Sequence, residues 1–170
     1  LSLMSLTVIM EFLNYIPLYL KENFAVSASR AATASSVFPT GSLLSVLISG
    51  FVYDRLSARR IRGVMGIALL CASLCVLGLL LLPSFQVSTT QGFYITLLLI
   101  FGIGFMVSPA YYLPMSVFSI EYGGIHSGVL VCTIDASAFF ASMIFNFSGG
   151  SIAEYDNGWF YFTLLIFSVS

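Results

Sequence analysis

The chain has 170 residues, 59% hydrophobic and 8% charged, with six Lys and Arg against seven Asp and Glu and a net charge of −1. A soluble domain carries about 25% charged residues. So few charges cannot cover a water-facing globule, and the mean hydropathy of +1.03 agrees. These values exclude a soluble enzyme, a nucleic-acid binder and a disordered chain, and leave a chain whose main solvent is lipid.

Crossing a bilayer takes about 20 apolar residues, and hydrocarbon does not tolerate unpaired backbone groups, so long apolar runs must be helices. An all-α, integral, multi-pass membrane protein is predicted, with five full spans and the start of a sixth. The first covers 1–20 and stops at Lys21-Glu22-Asn23; the second covers 32–53 and stops at Asp54-Arg55. The third, 64–82, ends at Pro83, and the fourth, 93–120, is expected to be broken by Pro109 and Pro114. The fifth, 127–152, follows Gly123-Gly124, and the sixth covers 158–170. The opening run from Leu1 lacks the basic stretch of a signal peptide. Both ends lie in apolar runs, so the chain is expected to be a fragment of a longer membrane protein.

Lys and Arg set the orientation. Arg55, Arg59, Arg60 and Arg62 are four of the six basic residues and crowd the connection between the second and third spans. That connection is predicted cytoplasmic, together with the one near Glu121–His126; the first span then starts on the cytoplasmic side. His126 reads as a solvated loop residue. Cys71, Cys75 and Cys132 lie in apolar runs with no His or carboxylate nearby, so they read as packing residues and no metal or cofactor site is expected.

The densest motif is Gly50-Phe51-Val52-Tyr53-Asp54-Arg55-Leu56-Ser57-Ala58-Arg59-Arg60. Gly50 would permit a close backbone approach to a neighbouring helix. Asp54 would pair with Arg59 or Arg60, or face another helix's N-terminal amides. The cluster then either locks one conformation or merely anchors the cytoplasmic end.

This stretch resembles the signature loop of the major facilitator superfamily, Gly-x-x-x-Asp-Arg-x-Gly-x-Arg-Arg, through Gly50, Asp54, Arg55, Arg59 and Arg60, with Ser57 in place of the second Gly. Nearly the whole chain, 1–170, is similar to the C-terminal six-helix half of such transporters. Within the superfamily it looks most like the organophosphate:phosphate antiporters and their sugar-phosphate relatives. That closer likeness rests on Pro17-Leu18-Tyr19-Leu20-Lys21-Glu22 and on the stretch from Ser127-Gly128 through Asp135 to Gly158-Trp159. The resemblance implies secondary transport of a small solute by alternating access, an organic anion or sugar phosphate in that subgroup, with an N-terminal half as partner and proton coupling open. Bacterial members of the subgroup place an Arg midway along the first of these helices, where Thr7–Tyr15 carries Glu11 instead. An ionised Glu11 would repel a phosphate.

Glu11 and Asp135 are the acids deepest within spans, where ionisable groups are costly and face a cavity or a partner. Thr7, Glu11 and Asn14 share a helical stripe with Tyr15 beside them; Gly128, Cys132, Asp135, Phe139, Ser142 and Asn146 form another. Glu11, Asn14, Tyr15, Asp135 and Asn146, with Tyr112 beside the two prolines, are the candidate pathway residues. They would line a solute or ion path, or would be interhelical bonds that only hold the bundle together. Asn146-Phe147-Ser148 matches a glycosylation sequon, but its place inside a span puts it out of reach. Ser35, Pro39, Ser42, Ser45 and Ser49 read as a close-packing face. The third span, without charge, reads as a lipid-facing support, and Tyr19, Tyr53 and Trp159 as interfacial anchors.

No His lies in a span, and no Ser–His or Cys–His arrangement is available, so an enzyme is not expected. The rival to transport is a membrane receptor or scaffold that keeps the fold without moving a solute.

Overall fold

The computed structural model describes residues 2–53, 55–82, 88–153 and 158–169; side chains are described over 9–52, 55–57, 59–82, 88–112, 123–147 and 158–167, apart from 160 and 162. All the regular structure among these residues is helical: α1 (Ser2–Phe24), α2 (Ala28–Ser35), α3 (Val37–Tyr53), α4 (Ala58–Leu81), α5 (Thr89–Gly123), α6 (Ser127–Ala153) and α7 (Gly158–Val169), with a 3-10 turn at Gly124–His126. Four segments among the described residues are long and apolar enough to cross a membrane: Ala28–Val52, Arg59–Leu81, Thr89–Tyr112 and Gly124–Phe147.

Two of the spans depart from the sequence expectation. The second span starts earlier, as α2, and is articulated at Ser36. Ser27 caps the start of α2 by accepting from the Arg30 amide, and the Ser36 hydroxyl bonds back to the Thr33 carbonyl. Such local side-chain bonds compete with a continuous helix. The fourth span is not broken: α5 is a single 35-residue helix that runs through Pro109 and Pro114. A buried proline removes one backbone bond, and packing neighbours and nearby hydroxyls compensate. Pro109 is buried against its neighbours, while the Ser108 hydroxyl bonds back to the Gly104 carbonyl at 2.7 Å rather than to the Phe105 carbonyl that the proline leaves without its in-helix donor.

α5 is the central helix. Half of its membrane-length window is buried, against 22%, 22% and 17% for the other three, and it packs on α1, α3, α4 and α6. Its tightest contact is with α3. A Cβ added at Gly41 would lie 2.6 Å from the Phe101 carbonyl oxygen, and one at Gly104 would lie 2.5 Å from that of Phe38. Without a hydrophobic drive between helices in lipid, such backbone proximity is what holds helix pairs. Ser45 and Ser49 are buried on the same face of α3, and Ser42 reaches the Gly104 carbonyl at 3.3 Å. Pro39 is exposed and stands off that face.

α4 supports α5 and α7 with Ala72, Val76, Leu79 and Leu80, and turns Ile67, Leu70, Leu74 and Leu81 outward. α1, α6 and α7 form a second group. Tyr19 is buried rather than anchored at an interface. Its ring meets Trp159 edge-on at 5.3 Å, and the indole Nε1 donates to Glu22 at 2.6 Å.

Candidate functional site

Glu11, Asn14 and Tyr15 stand at i, i+3 and i+4 on α1, which puts them on one face. Ser142 and Asn146 stand one turn apart on α6. α1 and α6 pack together, and the two stripes meet. Asn14 Nδ2 donates to Glu11 Oε2 at 2.5 Å, and Asn146 Nδ2 donates to the same oxygen at 3.0 Å. A carboxylate only accepts, so both amides must present nitrogen to it, which fixes their orientation. Asn146 Nδ2 is also within reach of the Ser142 carbonyl at 3.0 Å and the Ser142 hydroxyl at 3.3 Å. The Tyr15 hydroxyl donates to the Asn146 carbonyl at 3.3 Å, and the Tyr15 ring meets Phe145 edge-on at 5.9 Å. Thr7, the remaining member of the α1 stripe, lies outside the described side chains.

The node is a carboxylate braced at one oxygen by neutral donors from two helices. Among the described residues, no donor reaches Glu11 Oε1. Beneath the node, Ile9, Phe12, Ile16 and Phe145 are buried. Glu11 and Tyr15 are half-buried, and Asn14 and Asn146 are exposed at the outer edge of the chain. Chemically, the arrangement offers one open, oriented acceptor at mid-helix depth.

The remaining predicted residues do not join it. Asp135 is half-buried on the α6 stripe, eleven residues before Asn146 and so about 16 Å along the axis. Tyr112 is exposed on α5, its ring edge-on to Tyr111 at 5.0 Å.

The arginine motif is only partly visible. Asp54, and with it the expected pairing, lies outside the described residues. Arg55 follows α3 in a turn, its amide bonded to the Val52 carbonyl at 3.2 Å, and is exposed. Arg59 and Arg60 are exposed in the first turn of α4 rather than in a loop. Among the described residues a Cβ at Gly50 would meet nothing within 4 Å, and the close approaches are at Gly41 and Gly104. The two glycines passed over by the sequence reading carry no motif; only their partners across the helix pair reveal them.

Among the described residues, no group of three His, Cys, Asp or Glu side chains could hold a metal ion. No protein-family model, curated protein or solved structure matches this chain.

Proposed function

We propose that the chain is a multi-pass membrane protein forming the C-terminal six-helix half of a secondary transporter of the major facilitator type, moving a small polar solute by alternating access with an N-terminal half. The observation that carries the reading is the node itself. A carboxylate, two amides, a phenol and a hydroxyl from α1 and α6 converge at mid-helix depth. Polar groups partway along apolar helices are costly where they face lipid, and a solute path gives them a use.

The arginines support the orientation. Arg59, Arg60 and Arg62 begin α4, where positive charge opposes the helix dipole. Local helix energetics therefore do not account for them, whereas the excess of basic residues on a cytoplasmic face does.

The test is uptake by proteoliposomes holding the full-length protein. The labelled solutes are ethanolamine, lysine, glucose, glucose 6-phosphate and glycerol 3-phosphate, with single cysteines at Ser57 and Ser88 reporting access from either side. Saturable uptake of one solute, with cysteine reactivity that changes when it is present, supports transport. No uptake of any of them and unchanging reactivity would favour a receptor or scaffold.

A further inference from the structure

We propose that Glu11 Oε1 is the docking point for the ammonium group of a cationic or zwitterionic solute, held by the node that the transport reading above places on the solute path.

The argument begins with charge. The six basic residues are Lys21, Arg30, Arg55, Arg59, Arg60 and Arg62, and none stands within one helical turn of Glu11 on α1. Lys21, the nearest along α1, is ten residues on, about 15 Å along the axis, and exposed. Arg30 is committed to the Phe93 ring, 5.3 Å from its centroid. His126 is twenty residues before Asn146, about 30 Å along α6. Among the described residues, the Glu11 carboxylate is held by two neutral amides. A carboxylate at membrane depth is stabilised by a positive partner, and none of the described residues forms an ion pair with it.

The geometry then chooses among partners. Both amides spend their nitrogens on Oε2, and no described residue donates to Oε1. A hard metal ion takes six or more oxygens, and the node turns amide nitrogens, not oxygens, toward the carboxylate. A phosphate would meet the carboxylate's own charge. An ammonium group brings three donors and a positive charge. One donor suits Oε1, in a charge-assisted bond stronger than a neutral one. The Tyr15 phenol, tied to the Asn146 carbonyl, adds an aromatic neighbour of the kind that favours cations.

The experiment measures thermal unfolding of the purified full-length protein against ethanolamine, lysine, glucose 6-phosphate and sodium at matched ionic strength, for the parent, Glu11→Gln and Glu11→Asp. Gln keeps an acceptor oxygen for both amides, so the brace survives; an unshifted melting point without ligand checks this. Ethanolamine or lysine should stabilise the parent saturably, with sodium inert. Affinity should fall about ten- to a hundredfold in Glu11→Gln and be partly retained in Glu11→Asp. Undiminished amine binding in Glu11→Gln, equal stabilisation by sodium, or binding of glucose 6-phosphate alone would each overturn the proposal. If uptake of a solute lacking an ammonium group persists while no amine binds, this inference falls and the transport reading stands; if nothing is transported, the transport reading falls.

Discussion

Asn146 of α6 donates its side-chain amide to the Glu11 carboxylate of α1 at 3.0 Å, across 135 positions of sequence. That bond ties the first helix to the sixth at a carboxylate that forms no ion pair among the described residues. Its energy is bounded by what such bonds contribute between helices in membranes, about 0.6 kcal/mol on average and about 1.7 at most.

Asn146→Ala should therefore lower stability by about 0.5–2 kcal/mol, through loss of a donor to both Glu11 and Ser142. Asn146→Asp should cost more, because it sets a second carboxylate against Glu11. Denaturation in detergent, followed by helix content, checks both. Equal stability of the parent and Asn146→Asp would mean that the two side chains do not meet.

The α3–α5 contact makes a sharper contrast. Gly104→Ala drives a methyl to 2.5 Å from a backbone carbonyl that cannot rotate away, so the helices must part, at about 1–3 kcal/mol. Gly50→Ala meets nothing and should leave the packing intact. If both substitutions shift the unfolding midpoint alike, the close approach is wrongly placed.

Ala25, the residue after α1, sits in the left-handed region with φ of 51°. Ala25→Gly should stabilise the protein by about 1 kcal/mol, since only glycine adopts that conformation without a steric cost. Thermal unfolding of the variant against the parent measures it. A fall in the midpoint would place the chain reversal elsewhere.

Trp159 is the sole tryptophan of the chain, so its emission reports the junction of α1 and α7 directly. Glu22→Ala removes the acceptor 2.6 Å from the indole nitrogen, while the Tyr19 ring remains against it. The emission maximum should shift with the far-ultraviolet helix signal unchanged. An unshifted spectrum would show the indole bonded elsewhere.

For orientation, Ser57→Cys, exposed ahead of α4, should react with a membrane-impermeant thiol reagent only from the cytoplasmic face. This requires Cys71, Cys75 and Cys132 to be replaced first. Labelling from the outer face would reverse the proposed topology.

Composition alone settled the helical class. With so few charges in so apolar a chain, every long run has to satisfy its own backbone, and all regular structure among the described residues is helical. Helical periodicity likewise placed Glu11, Asn14 and Tyr15 on one face and Ser142 and Asn146 on another, because spacing along a helix fixes direction around it. What periodicity cannot supply is which face meets which. The convergence of Asn14 and Asn146 on a single Glu11 oxygen, and the absence of Asp135 and Tyr112 from that node, were decided by how α1 and α6 pack. The close approach fell to Gly41 and Gly104 rather than Gly50 for the same reason: a glycine is informative only beside the backbone that it admits, and that neighbour is chosen by tertiary packing. Pro109 shows the converse, a residue that reads locally as a break but sits in a continuous helix, because burial against neighbouring helices outweighs one lost backbone bond.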